Sequence, residues 1–441
     1  MSAPEERSRQ GGLWRDRDFM RLWSGESLSM FGAQISLVAI PLLAVATLDA
    51  TPFEMGVVNA AQFLPYLLFT LPAGVWVDQR RRRPLMIGAN LGRAAVYGLV
   101  PLGTALGLLG IWGLAAIVFL AATLTVVFDL AYQSYLPSLV GREHLVEANG
   151  KLEGSRSVAQ ASGPGIAGLL VGLITAPVTV LVNALTYLVA GFAAMRIRKP
   201  EEVPAATGEQ GSMLSRIGTG LRLIGHNPYL RAIAGEASVY NLFNQALWTA
   251  LVLYLTHRLH FSALTIGIVL AMSGVGAFLG SLAAGWCGRH WGLGRTIMIA
   301  MLIGCASPLI IPAASGDKHV AIPIVAFALL LNGAGVVICN IQVISLRQTA
   351  VPSDVLGRAN AGYRFLVTGA AALGSLLGGG LGELIGLRAT LVVGGLGTLA
   401  ALSFFLGSPI PKLRDLSEVA PPEPGTGGVP SRVSTGDDAT A

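Results

Sequence analysis

The chain has 441 residues, of which 53% are hydrophobic and 12% are charged, whereas about 25% of the residues in soluble domains are charged. It carries 30 Lys and Arg residues against 24 Asp and Glu residues, a formal net charge of +6. This composition excludes an ordinary soluble domain, because a single core could not bury so many apolar stretches. It predicts a polytopic membrane protein.

Apolar runs long enough for a helix to cross a bilayer recur along the whole chain. We predict an all-α membrane protein with twelve transmembrane helices in two six-helix, pseudo-symmetric halves. The polar N-terminal segment lacks the apolar core of a signal peptide, so the first span is expected to stay as an anchor. The predicted spans lie at about 22–47, 55–77, 85–107, 111–135, 152–174, 176–195, 230–256, 264–287, 296–315, 319–346, 361–386 and 389–408.

Basic residues are retained on the cytoplasmic side of a membrane. With a cytoplasmic N-terminus, 26 of the 30 Lys and Arg residues fall in cytoplasmic segments. The outer loops then hold only Arg258, Lys318 and Arg388. We therefore predict a multi-pass plasma-membrane protein with both termini in the cytoplasm. The topology explains the positive charge, so no nucleic-acid partner is expected.

The chain repeats its plan in two halves. Landmark residues recur at an offset of 211, as in Gly56 and Gly267, Gly74 and Gly285, Asn149 and Asn360, and Gly163 and Gly374. A parallel repeat of this kind places a substrate cavity between the halves, near the midplane. The predicted domains are an N-terminal segment (1–21), a six-helix bundle (22–195), a cytoplasmic linker with an amphipathic helix on the membrane surface (196–228), a second six-helix bundle (229–408) and a disordered tail (409–441).

The stretch GVWVDQRRRRP, residues 74–84, joins the second and third spans. It resembles the loop motif of the major facilitator superfamily at Gly74, Asp78, Arg82 and Arg83, while Gln79 and Arg81 depart from that motif. VVFDLAYQSYLPSLV (126–140) and NLGRA (90–94) further resemble the drug-exporter group that includes macrolide-efflux and enterobactin-export proteins. A simple topology anchor is the alternative interpretation of the arginine run.

The resemblance implies the major facilitator fold and a secondary active exporter of small amphipathic molecules, driven by proton antiport through alternating access. In that family the loop aspartate, here Asp78, latches the outward-facing state at the N-terminus of helix 11. A helix N-terminus attracts a carboxylate through its unpaired N–H groups and its dipole, and we expect Asn360 to be its N-cap. A siderophore exporter, an exporter of a self-made metabolite and a non-transporting sensor are the alternatives.

Arg93 in span 3 and Asp129 in span 4 lie at matching depths, about 12 Å inside the membrane at 1.5 Å per residue. Adjacent helices and equal depth predict that the two charges pair. A structural ion pair and a protonation switch are both open at this point. Because Ala33 replaces the acid that many relatives carry in helix 1, Asp129 is the first candidate for the proton carrier.

Glu26 and Glu236 are repeat-related acids, each five residues after an arginine, Arg21 and Arg231. Structural pairing with these arginines, or snorkelling of the side chains to the interface, is the alternative interpretation. Glu26 is the second candidate for the proton carrier, and Glu383, near the outer end of span 11, ranks lower.

In span 5, ASGPGIAG (161–168) resembles an antiporter signature at Gly163, Pro164 and Gly168. Small residues allow close helix approach and proline bends a span, so packing alone is the alternative explanation. Amides and one aromatic residue are candidates to line the substrate cavity, although each could equally make an interhelical hydrogen bond. These cavity candidates are Gln34, Gln62, Asn241, Asn244, Gln245, Trp248, Asn332 and Asn340.

An enzyme is not expected, because the six histidines fall in loops or at span ends and no phosphate-binding loop occurs. The three cysteines lie in or at the end of spans, so no disulfide, metal site or cofactor is predicted. The expected partners are the lipid bilayer, a small amphipathic substrate and protons, and the protein is expected to be a monomer.

Overall fold

The computed structural model describes residues 12–141, 144–201, 213–314, 317–350 and 356–419. Nearly all of this part is helical. Ten of its helices are long and apolar enough to cross a membrane by length and composition. Two further helices, α2 and α8, have 27 and 26 residues. The helices are α1 (Arg17–Ala46), α2 (Pro52–Asp78), α3 (Arg82–Ala105), α4 (Ile111–Val140), α5 (Leu145–Ile174), α6 (Ala176–Met195), α7 (Met213–His226), α8 (Pro228–Leu253), α9 (Ala263–Trp291), α10 (Leu293–Ala306), α11 (Lys318–Thr349), α12 (Leu356–Ile385), α13 (Leu387–Ala400) and α14 (Leu402–Leu406).

Short polar side chains start five of these helices, because they accept hydrogen bonds from first-turn amides that lack a partner in the helix. Thr51 forms a capping box with Glu54 at the start of α2. Asp16, Asn227, Ser262 and Asp317 cap α1, α8, α9 and α11. The sequence thus fixes these helix starts locally.

Four tight turns share one backbone conformation. Gly141, Gly292 and Gly386 have φ of 80°, 81° and 84° and ψ of 156°, 160° and 157°. Thr175, between α5 and α6, adopts φ 77° and ψ 158°. This region of backbone space is almost restricted to glycine and costs about 1–3 kcal/mol for other residues. Thr175 therefore holds local strain that the glycine turns avoid.

The helices pack in two groups. In the first group (α1–α6), α1 packs on α5 and α6, and α4 packs on α2 and α3. In the second group (α8–α14), α8 packs on α12 and α13, and α11 packs on α9 and α10. The main contacts between the groups are α2 with α12 and α5 with α9. Near the end of α7, Ile224 is buried against α8 and α12, so this part of the linker helix rests on the second group.

The molecule has two ends, which we name by residues. The terminal face holds the starts of α1 and α8 and the end of α2. The far face holds the turns at 47–51, 106–110, 254–262 and 386. On the far face, apolar clusters mix the two groups: Ile35 and Val38 of α1 share one cluster with Leu251 and Val269. Among the described residues, each cluster on the terminal face draws on the first group alone, or on the second group and α7. The two groups are thus joined at the far face and have separate cores at the terminal face.

Candidate functional site

A cavity of about 790 Å³ lies between the two groups. Its walls are segments of four helices: 57–67 of α2, 115–119 of α4, 238–242 of α8 and 365–376 of α12. Among the described residues that line it, Ser238 has the only side chain with a hydrogen-bonding group. Sites for small molecules span about 300–1,000 Å³ and use few polar groups. This cavity therefore suits an apolar molecule or the apolar part of an amphipathic one.

None of the eight residues predicted to line a cavity is among those that line this one, so their role in a substrate site stays a prediction. Asn332 is buried and donates to the Gly304 carbonyl oxygen at 2.8 Å, and Asn241 donates to the carbonyl oxygen one turn before it. These two amides donate to backbone carbonyl groups within one helix and between helices. They therefore make the structural hydrogen bonds that were the alternative to lining a cavity. Asn340 is exposed, whereas the remaining candidates are half-buried: Gln34, Gln62, Asn244, Gln245 and Trp248.

Sequence reasoning missed the residues that do line the cavity. They include the bulky side chains Leu64, Leu67, Phe119 and Phe365. In a membrane protein, apolar residues face lipid as readily as they face a cavity. Composition and spacing therefore carry no signal that separates the two.

Arg93 is buried, with 4% of its surface exposed. Its guanidinium carbon lies 4.3 Å from the ring centre of Phe128 and 4.2 Å from that of Tyr187. One guanidinium nitrogen donates to the Asn90 side-chain oxygen, and Tyr97 stacks on Tyr187 at 6.0 Å. Cation–π contacts hold a charge well when it is removed from water. Two aromatic faces and one amide thus hold this charge in place.

Asp129 accepts a hydrogen bond from the Tyr66 hydroxyl, with an oxygen–oxygen distance of 3.0 Å. Among the salt bridges within 4.0 Å in the described part of the chain, none joins Arg93 to Asp129. The structural ion pair is therefore not formed in this structure, where the rings of Phe128 and Tyr187 hold the guanidinium, and the protonation switch stays a prediction. Arg93 still attracts Asp129 electrostatically, as do Arg364 and Arg156.

Glu26 is buried at 6% exposure on α1. Arg21, its predicted partner, instead pairs with Asp18 at 2.7 Å and donates to the carbonyl oxygen of Arg196 at 2.6 Å. Glu26 interacts electrostatically with Arg93 and Asp129. Glu26, Arg93 and Asp129, on α1, α3 and α4, therefore form one group, which we call the charged cluster.

Glu236 lies outside the charged cluster. It is buried at 6% exposure on α8, and among the described salt bridges none joins it to Arg231. Its electrostatic neighbours are Tyr240, Cys305, Cys339 and Tyr363. The predicted pairing with Arg231 is thus wrong, and the second group buries its own acid.

The predicted latch is described only in part. α2 ends at Asp78, whose side chain lies outside the described residues, and Gly74 has open space where a Cβ would lie. The amides of Arg82 and Arg83, at the start of α3, donate to the Glu201 carboxylate. The Arg83 guanidinium also donates to two carbonyl oxygens at the end of α6. These arginines tie the loop to the first group.

The predicted N-cap of helix 11 is wrong. α12 begins at Leu356, so Asn360 lies inside its first turns, where it cannot cap the helix. Its side-chain oxygen is buried without a hydrogen-bond partner.

The glycines of the predicted antiporter signature lie where helices nearly touch. A Cβ at Gly163 would lie 2.4 Å from the Cβ of Gln34 on α1. Gly168 lies one turn after Pro164, and a Cβ there would lie 2.7 Å from the Cα of Gly267 on α9. These glycines therefore allow α5 to join the first group to the second. The close contacts account for the small residues by packing.

The sequence profile of the transmembrane secretion effector family matches residues 13–424. The chain belongs to this family of major facilitator transporters. Over 406 residues it is 28% identical to the multidrug efflux pump Tap of Mycolicibacterium fortuitum, covering 89% of this chain and 95% of Tap. It is 22% identical over 222 residues to macrolide efflux protein A of Streptococcus pyogenes, covering 50% and 55% of the two chains. The chain thus belongs to the transmembrane secretion effector family and is similar to two proteins named for efflux.

A bacterial homologue of the iron transporter ferroportin shares the fold of this chain. Its inward-facing structure is 17% identical, with a TM-score of 0.69 over 89% of this chain and 98% of that one. Its outward-facing structure is 20% identical, with a TM-score of 0.54 over 88% and 98%. Family and fold together indicate a multi-pass membrane transporter.

Proposed function

We propose that this protein is a monomeric plasma-membrane exporter of small amphipathic molecules, with twelve spans in two related halves. It exchanges substrate for protons by alternating access. The observation that carries the proposal is the apolar cavity between two helix groups that are joined at the far face and have separate cores at the terminal face. Export of a siderophore or a self-made metabolite is the alternative on the same fold.

The distribution of apolar clusters supports alternating access. Two groups joined at one face and separately packed at the other can rock about the cavity, which exposes it to each side in turn. The excess of basic residues in the segments at the terminal face supports a cytoplasmic position for that face. The structure would then be an inward-facing state, in accord with the higher TM-score to the inward-facing ferroportin homologue.

The charged cluster supports proton coupling. A contact ion pair would hold Asp129 ionised, but the rings of Phe128 and Tyr187 hold the Arg93 charge instead. Asp129 has a hydroxyl partner, which tolerates either protonation state. An acid in a span is costly when charged and can gain or lose a proton as its surroundings change. Asp129 is therefore our first candidate for the proton carrier and Glu26 our second.

The cavity supports the substrate class. Apolar walls bind apolar surface without the desolvation cost that a polar wall would impose. The relatives' names, multidrug efflux pump and macrolide efflux protein, accord with such substrates. We therefore expect macrolides and lipophilic dyes to be among the exported molecules.

The proposal is tested by expression in a host that lacks its own drug pumps. We expect lower susceptibility to macrolides and active extrusion of a lipophilic dye, and a protonophore should abolish the extrusion. Leu64→Glu tests the role of the cavity, because it places a carboxylate in the apolar wall and should lower extrusion at equal membrane expression. Equal susceptibility and equal dye retention with wild-type protein and empty vector would contradict the proposal.

A further inference from the structure

The far-face contact between α2 and α12 includes a polar bridge between the two groups. An oxygen of the Glu383 carboxylate, near the end of α12, accepts from the backbone nitrogen of Phe53 at 3.4 Å. Phe53 is the second residue of α2, and its amide is one of those that find no partner within their own helix. The carboxylate thus lies at the positive end of the α2 dipole.

Close backbone packing surrounds this bridge. A Cβ at Gly56 would lie 2.7 Å from the Ser375 carbonyl oxygen and 3.0 Å from the Cα of Gly379. A Cβ at Gly382, the neighbour of Glu383, would lie 2.8 Å from the Cβ of Pro52. The bridge can form only while these two helices touch, because its donor is on α2 and its acceptor is on α12.

A second acid at the start of α2, Glu54, accepts a hydrogen bond within its own helix and does not join the two groups. The Glu54 carboxylate accepts from the amide of Thr51, and the Thr51 hydroxyl accepts from the amide of Glu54. This capping box lies within α2 and moves with it. The bond from Phe53 to Glu383 joins two groups and breaks when they part. Glu383 is also exposed, so water can replace its partner at little cost.

We propose that Glu383 is the far-face gate residue: it caps α2 when the far face is closed and releases α2 when that face opens. This rests on the proposed function, because a gate is needed only where the groups move apart. The latch predicted at the terminal face has the same arrangement: there, Asp78 at the end of α2 would bind the start of α12, which is the eleventh predicted span. In both contacts, an acid at the end of one helix accepts from the amides at the start of the other. The Glu383 contact favours the state with the far face closed, and the Asp78 contact would favour the state with the terminal face closed.

The effect of the bridge follows from its chemistry. A carboxylate at an exposed helix N-terminus changes an equilibrium by about two- to fivefold. Glu383→Gln removes the charge and keeps the side-chain shape. We therefore expect the ratio of far-face-open to far-face-closed protein to rise by about two- to fivefold.

Spin-label distance measurements on full-length protein in lipid nanodiscs test this. Labels at Leu108, on a far-face turn of the first group, and at Arg388, in the first turn of α13, report closed and open populations, with the three native cysteines replaced by alanine. Glu54→Gln is the matched control and should leave the ratio unchanged.

The outcomes separate the gate from the wider proposal. If wild-type protein transports and shows both populations, an unchanged ratio in Glu383→Gln overturns the gate alone. An equal shift in Glu54→Gln would also overturn it, because general fraying of α2 would then be the cause. If wild-type protein shows one population in every condition and transports nothing, the proposed function fails and the gate with it.

Discussion

The contacts of Arg93 with two aromatic rings predict how much each ring contributes to the free energy of unfolding. Ring centres at 4.3 and 4.2 Å from the guanidinium carbon, in a site with 4% exposure, allow about 1–2 kcal/mol for each cation–π contact. Phe128→Leu removes one ring and keeps an apolar side chain. It should lower the free energy of unfolding by this contact energy plus a repacking cost of less than about 1.5 kcal/mol.

A double-mutant cycle separates these two contributions. Arg93→Met removes the cation, so Phe128→Leu in that background reports the repacking cost alone. The assay is SDS-induced unfolding of purified protein in mixed micelles, followed by tryptophan fluorescence. We expect a coupling of about 1–2 kcal/mol. A coupling below about 0.5 kcal/mol, the usual limit of additivity, would refute the argument that the rings hold the charge.

Three further predictions concern the strained turn, the helix contacts and the latch. Thr175→Gly should raise the free energy of unfolding by about 1 kcal/mol through relief of backbone strain. The control Thr47→Gly should not raise it, and equal effects of the two variants in the same unfolding assay would contradict strain at Thr175. Gly267→Val should abolish dye export, because its Cβ would lie 2.6 Å from a carbonyl oxygen of α5. The control Gly172→Val has open space at its Cβ and should export normally. Normal export by Gly267→Val would refute the argument that close helix packing requires glycine there. Asp78→Asn should lower export severely at normal expression, and unchanged efflux would exclude the latch.

The sequence predicted the fold to a large extent, because apolar runs of membrane-crossing length leave few alternatives. The predicted span 176–195 coincides with α6, Ala176–Met195. The predicted span at 296–315 is less regular than expected. There, α10 ends at Ala306 and a 3₁₀-helix continues over Ser307–Ala313.

The site was harder to predict than the fold. Arg93 and Asp129 have matching depths, but charge alone could not reveal that Phe128 and Tyr187 would hold the guanidinium. Partners across helices depend on rotation about each helix axis, which apolar spans specify weakly. The bond from Phe53 to Glu383 depends in the same way on which helices meet at the far face.

Proton-coupled export through Asp129 is the central claim, and paired transport assays in inverted membrane vesicles test it most directly. A pH gradient should drive uphill uptake of substrate by wild-type protein, and counterflow should exchange substrate without a gradient. Asp129→Asn should lose uphill uptake and keep counterflow, because a neutral amide mimics the protonated acid but releases no proton. Glu26→Gln, the variant of our second candidate, is measured in parallel and should keep both activities. Full uphill uptake by Asp129→Asn, or loss of both activities together at normal expression, would contradict this account.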